Sequence, residues 1–193
     1  MTQLTNRYAE ALDYCFLIHK DQKRKGKSTP YIAHLLSVSA LVLEDGGDED
    51  EAIAALLHDM LEDQPDKTSR EEISQRFGER VLHLVTSCTD TPPSYKGGVK
   101  PPWKQRKEMY LKHLREGANG ALRIVLADKL HNGTDLLADY RQQGESLWRH
   151  FNADKSEQLW FYRSLVSAFK EGGASGPMYE RFERVVSEFE SLS

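Results

Sequence analysis

Apolar residues recur every three or four positions along most of the chain, and period-two alternation is scarce, so the pattern predicts helices and almost no sheet. The expected helices cover roughly residues 4–23, 31–45, 49–63, 69–77, 79–89, 103–117, 121–142, 154–171 and 177–190. Their ends follow from local chemistry. Ser28-Thr29-Pro30 offers a hydroxyl cap ahead of the second helix, and Asp45-Gly46-Gly47-Asp48 ends that helix and caps the next. Thr91-Pro92-Pro93-Ser94 and Lys96-Gly97-Gly98 bound a long loop that closes at Pro101-Pro102. Gly172-Gly173 and Gly176-Pro177 separate the last two helices. With no repeat and no low-complexity linker, the expectation is an all-α, single-domain helical bundle over residues 1–193.

One helix breaks the ordinary division of polar and apolar faces. Ala52, Ile53, Ala54, Ala55, Leu56, Leu57, Met60 and Leu61 make the 49–63 segment apolar nearly all round, so it should be buried. Yet it carries His58 and Asp59, then Glu62 and Asp63. An ionised carboxylate is costly to bury without a cation, and no Lys or Arg lies within a turn; Lys67 is the nearest in sequence. A metal ion is an economical partner, because neutral imidazole and carboxylate both ligate metals.

Counting along the helices supplies the remaining ligands. His34 lies about 12 residues before the Gly46-Gly47 turn and His58 about 11 after it. At 1.5 Å per residue both are about 17 Å from the hairpin end, so they come level across an antiparallel pair. Asp128 sits in another apolar run, among Leu122, Ile124, Val125, Leu126 and Leu130. His34, His58, Asp59 and Asp128 thus make a candidate set of two nitrogen and two oxygen donors; separate buried ion pairs are the plainer alternative. Glu62, four residues past His58, can reach in to orient a ligand or take a proton from water. Asp63 stands one turn past Asp59.

Composition narrows the function classes. The formal net charge of −4 argues against nucleic acid as a partner. No run approaches the ~20 apolar residues of a membrane span, and the first residues lack the apolar core of a secretion signal. Cys15 and Cys88 are too few for a disulfide framework, and a cytoplasmic setting is expected. One local charge cluster stands out. Residues 20–27, KDQKRKGK, carry five cations and one anion, a positive patch in a chain that is otherwise net acidic.

The segments RKGKSTPYIAH, ALLHDMLED and LADKLHN carry an H…HD…D spacing that resembles HD-domain phosphohydrolases. They are most similar to the hydrolase domain of RelA/SpoT homologues, of the small stand-alone alarmone hydrolase type, over about residues 8–142; helices 154–190 are expected to pack on this part. The resemblance implies metal-dependent hydrolysis of ppGpp or pppGpp at the 3′-pyrophosphate, giving GDP or GTP and pyrophosphate. It implies His34, His58, Asp59 and Asp128 as ligands of one divalent metal, usually Mn²⁺, with Glu62 and Asp63 positioning and activating the attacking water. Arg24 would pack against guanine, Lys25 would help hold the nucleotide, and Asn132 would contact it. The length leaves no room for an alarmone synthetase domain, so degradation alone is expected.

Two departures bear on the substrate. Leu35 stands where the family usually has proline, and Gly133, Thr134 and Asp135 follow Asn132 where an apolar residue, arginine and threonine are common. Gly133 could serve close packing or substrate approach, and Asp135 would repel a polyphosphate. A phosphatase or nucleotidase acting on another nucleotide, NADPH included, is therefore the second reading. A nucleotide sensor without turnover is the third, and it has no need of a water activator. Of the other features, the loop from Thr91 to Pro102, with Tyr95, Lys96 and Lys100, could close over a ligand. Asn152, Lys155 and Arg163 could approach the pocket. His19, His83, His113, His131 and His150 are expected at the surface or in the core. The aromatic residues from Trp148 to Phe189 read as core or as the face of a homo-oligomer.

Overall fold

Asp48 and Glu51 start the helix on which the first part of the fold is built. The computed structural model describes residues 2–89, 101–151 and 153–192. In it the Asp48 carboxylate accepts from the Glu51 amide at 3.0 Å, and the Glu51 carboxylate accepts from the Asp48 amide at 2.9 Å. This reciprocal cap satisfies two amides that no helical carbonyl can reach. Among the described residues the elements are α1 Asn6–His19, α2 Ile32–Glu44, α3 Glu49–Leu57, α4 Met60–Asp63, α5 Arg70–Phe77, α6 Glu79–Cys88, α7 Trp103–Arg115, α8 Leu122–Gln143, α9 Lys155–Glu171 and α10 Pro177–Ser191. Single 3-10 helical segments lie at Ala118–Gly120 and Gly144–His150. The sole β feature among these residues is an isolated bridge between Lys23 and Pro30. The all-α class expected from periodicity is the observed one.

Two boundaries differ from expectation. The helix expected over 49–63 is interrupted at His58-Asp59, where α3 ends and the short α4 begins. The helix expected to reach residue 23 stops at His19. There the chain enters a hairpin: the Gln22 amide bonds His19 O at 2.9 Å, the Tyr31 amide bonds Gln22 O at 2.9 Å, and the Arg24 amide bonds Thr29 O at 2.9 Å. Gly26, with φ of +72°, makes the reversal, a conformation that costs a side-chain-bearing residue energy.

The chain divides into two units, Met1–Thr89 with Asn119–Asp128, and Asp90–Ala118 with Lys129–Ser193. In the first, α3 is central and packs on α1, α2 and α6, while α5 packs on α6. Ala52, Ile53, Ala54, Ala55, Leu56 and Leu57 are wholly buried, each large aliphatic contributing about 1.5–3 kcal/mol by leaving water. Cys15 of α1 faces this helix and donates to Leu56 O at 3.2 Å; burial, with the Asp59 charge, pushes its thiol up to about 12. Arg123 reaches Asp45 at 3.0 Å and Glu51 at 2.6 Å, tying the start of α8 to the α2–α3 turn. Arg80 bonds Asp48 at 2.7 Å and holds its carboxyl below the usual range.

The α2–α3 turn tolerates no side chain at its second glycine. A Cβ on Gly47 would lie 2.5 Å from Val42 Cγ1 and 2.8 Å from Val42 O. Gly47→Ala is expected to destabilise the protein by about 1–3 kcal/mol, read as a lower urea midpoint at constant m-value; an unchanged midpoint would contradict this packing.

In the second unit α9 packs on α7 and α10. Its cap repeats that of α3, with the Asp154 carboxylate accepting from the Glu157 amide at 2.9 Å. Phe161, Tyr162, Leu165, Phe169, Phe182, Val186 and Phe189 are buried, so this aromatic run is largely core. Lys155 is engaged by Glu145 at 2.6 Å and Tyr140 at 2.9 Å, and Arg163 by Glu190. Gly133 lets α8 sit close to its neighbours, since a Cβ there would lie 3.1 Å from Tyr162 and 3.2 Å from Val185. Residues 91–100 of the expected loop, with Tyr95, Lys96 and Lys100, lie outside the described residues, as does Asn152. Among those described, no helix is long and apolar enough to cross a membrane.

Candidate metal centre and active site

The first unit brings the four expected donors together. His34 sits in the first turn of α2, with its amide bonded to Tyr31 O at 2.9 Å. His58 ends α3, and its Nδ1–H donates to Ala55 O at 2.8 Å. That bond fixes the tautomer and leaves Nε2 with its lone pair outward. His58 Nε2 lies 3.1 Å from Asp59 Oδ2 and 3.7 Å from Asp128 Oδ1. His34 Nε2 lies 3.2 Å from Asp128 Oδ1 and 3.7 Å from Asp59 Oδ2. One donor atom from each of His34, His58 and Asp59 falls within 4.8 Å of the others. His34, His58 and Asp128 are buried.

The interruption of the helix is part of this geometry. Consecutive residues of a regular helix project about 100° apart and do not face one point. At the junction Asp59 has φ −97° and ψ −6° and serves as the first cap of α4. His58 and Asp59 thereby converge although they are neighbours in sequence.

The electrostatics suit a cation. His58 Nε2 is buried and makes no hydrogen bond of its own. A lone pair facing two carboxylate oxygens is repulsive unless a proton or a metal lies between them. Burial lowers the His58 pKa, but Asp59 and Asp128 together raise it well above the ordinary value. Burial likewise pushes the Asp59 carboxyl up, and the imidazoles of His58 and His34 pull it further down, so it stays ionised. Tyr31 is raised by burial and by the Asp59 charge, and its neutral hydroxyl donates to Asp59 Oδ2 at 2.5 Å. Two imidazoles and two carboxylates in such a field can hold one divalent cation.

The remaining expected residues flank this cluster or lie elsewhere in the fold. The amides of Glu62 and Asp63 bond Asp59 O at 3.2 and 2.8 Å, placing both carboxylates on α4. Glu62 is exposed and accepts from Thr89 Oγ1 at 3.1 Å. Asp63 accepts from Gln22 Nε2 at 2.7 Å. Partial burial and the Asp59 charge raise the Asp63 pKa, and hydrogen bonds from Gln22 and Tyr31 oppose the rise. The Arg24 guanidinium lies 5.7 Å from the Tyr31 ring centroid, while Lys25 is exposed on the same hairpin. Asn132 is half-buried on α8, in the second unit. Leu35 is fully buried, so the departure from proline supplies a core residue. Sequence reasoning missed Tyr31, Gln22 and Gln64. Tyr31, three residues before His34, carried a faint signal through its position; the two glutamines carried none.

Comparison with known proteins places this cluster in a family. The family model described as the HD domain matches residues 11–157. The chain is 38% identical over 130 residues to the guanosine-3′,5′-bis(diphosphate) 3′-pyrophosphohydrolase MESH1 of Xenopus tropicalis, covering 66% of this chain and 68% of that protein. The MESH1 protein of Homo sapiens is 35% identical over 130 residues, with the same coverage. Among solved structures, one described as a metazoan ortholog of SpoT that hydrolyzes ppGpp and plays a role in starvation responses superposes with a TM-score of 0.74 at 25% identity, covering 96% of each chain. The match to the family model takes in all four candidate ligands, and the chain belongs to the HD domain family.

Proposed function

We propose that this chain is a metal-dependent pyrophosphohydrolase that removes the 3′-diphosphate of ppGpp and pppGpp. Water adds to the phosphorus joined to the 3′-oxygen, the P–O3′ bond breaks, and the 3′-oxygen takes up a proton. Pyrophosphate and GDP or GTP are the products. The observation that carries this reading is the convergence of His34, His58, Asp59 and Asp128, in a chain whose relatives include ppGpp 3′-pyrophosphohydrolases.

His34, His58, Asp59 and Asp128 would hold the cation, which we take to be Mn²⁺. When bound it supplies Lewis acidity, polarising a phosphoryl oxygen and making nearby water more acidic. Glu62, exposed on α4, accepts a proton from the attacking water, and Asp63 holds that water in line. Arg24 and Lys25 bind the nucleotide through their cations, the Arg24 guanidinium also offering a flat face to guanine. Asn132 supplies a hydrogen bond to the nucleotide. Gly133, one cue for a different substrate, is accounted for by its close packing against Tyr162 and Val185. We take the chain as one HD domain, since the family match runs through residues of both units. A cytoplasmic setting agrees with its two free thiols.

The test uses protein stripped with chelator, reloaded with Mn²⁺ and given ppGpp, pppGpp and NADPH in parallel, with phosphate and pyrophosphate assayed separately. Pyrophosphate from the two guanosine substrates, abolished by chelator, is the expected result. Absence of turnover of ppGpp, or release of phosphate from NADPH alone, would overturn the assignment.

A further inference from the structure

Beside the cluster lies a polar network that joins Asp63 to residues the proposed chemistry does not use. Gln22 is its centre. Its Oε1 accepts from His19 Nδ1 at 2.6 Å and from Gln64 Nε2 at 2.7 Å, and its Nε2 donates to Asp63 Oδ2 at 2.7 Å. The Asp63 carboxylate, which only accepts, leaves one orientation for the amide. Turned by 180°, the amide would set its oxygen against that carboxylate, a repulsive contact. The same logic fixes the His19 tautomer: Nδ1 carries the proton, and the buried Nε2 has no hydrogen-bond partner.

The backbone holds Gln22 as firmly as its side chain does. Its amide bonds His19 O and its carbonyl accepts from the Tyr31 amide, each at 2.9 Å. The His19 ring stacks on Tyr31, with centroids 5.4 Å apart and planes 20° apart. Tyr31 in turn holds Asp59 by its hydroxyl. One connected network, rooted in the buried His19, therefore grips two carboxylates: Asp59 through Tyr31 and Asp63 through Gln22.

We infer that Gln22 is a positioning residue for Asp63, locked by His19 and Gln64 so that its amide N–H aims the Asp63 carboxylate. The inference rests on the proposed role of Asp63 in holding water. Asp63 lies on a four-residue helix and is exposed; Tyr31 also approaches it, but the one Tyr31 hydroxyl proton goes to Asp59, so the Gln22 amide is the donor that selects the Asp63 rotamer. A hydrogen bond to a charged group is worth a factor of about 10–100 when it orients a reacting partner.

The experiment compares Gln22→Met, Gln22→Glu, Asp63→Asn and the Gln22→Met/Asp63→Asn pair, for kcat, KM, Mn²⁺ affinity by calorimetry and melting temperature. Gln22→Glu still accepts from His19 and Gln64 but presents an acceptor to Asp63, so it serves if the methionine variant folds poorly. The expected result is a kcat lower by about 10- to 100-fold in either Gln22 variant. KM and Mn²⁺ affinity should stay near wild type, and the double variant should be no slower than Asp63→Asn alone. Wild-type kcat in Gln22→Glu, or effects of Gln22→Met and Asp63→Asn that multiply, would overturn the inference while leaving the role of Asp63 intact. Wild-type kcat in Asp63→Asn would instead remove that role, and this inference with it.

Discussion

Asp128→Ala is expected to abolish metal-dependent turnover while leaving the fold in place. The Asp128 carboxylate approaches both imidazoles, at 3.2 Å from His34 Nε2 and 3.7 Å from His58 Nε2, as the Asp59 carboxylate also does. Its loss leaves three of the four proposed donors and half of their negative charge. Loss of a ligand's supporting partner alone typically costs 10- to 100-fold in affinity, so loss of the ligand itself should cost at least about 100-fold. Binding to the native state stabilises it by about 2.7 kcal/mol at a ligand concentration of 100 times Kd. The wild-type melting temperature should therefore rise with added Mn²⁺, and that of Asp128→Ala should not. The metal-free variant should melt close to metal-free wild type, because α8 keeps Ile124, Val125, Leu126 and Leu130 in the core. A variant that still gains stability from Mn²⁺ would show that Asp128 is not a ligand.

Glu62→Gln should separate chemistry from binding. Glu62 is exposed, and Thr89 can donate to a glutamine oxygen as it does to the carboxylate, so neither fold nor metal affinity should change. General-base catalysis is worth about 100- to 10,000-fold, and kcat should fall by an amount in that range, with KM within a few-fold of wild type. A protein that only senses a nucleotide would bind ligand unchanged and have no kcat to lose. Wild-type kcat in this variant would transfer the proton-accepting role away from Glu62.

The parts of the site legible in the sequence were those set by helical arithmetic. His34 and His58 come level because they lie nearly equal distances from one glycine turn, and the cap at Asp48 fixes where α3 starts. Asp128 was legible because an acid in an apolar helical run is costly to bury. The break between α3 and α4 was not, since Leu57, Met60 and Leu61 continue the apolar pattern across it and no glycine or proline marks it. That break is the feature that lets two adjacent residues aim at one point. The hairpin after His19 was missed for a similar reason: residues 20–23 are compatible with helix, and what stops them is pairing with Thr29 and Tyr31 further along the chain. Gln22 and Gln64 are ordinary surface residues by composition, and only long-range hydrogen bonds single them out.

The central claim is that His34, His58, Asp59 and Asp128 share one divalent ion. It is tested most directly by a crystal of the protein grown with Mn²⁺ and measured at the manganese absorption edge. The account predicts one strong anomalous peak between His34 Nε2, His58 Nε2 and the carboxylates of Asp59 and Asp128, at bonding distance from all four. A peak elsewhere, or none at these residues with Mn²⁺ present at saturating concentration, would contradict it.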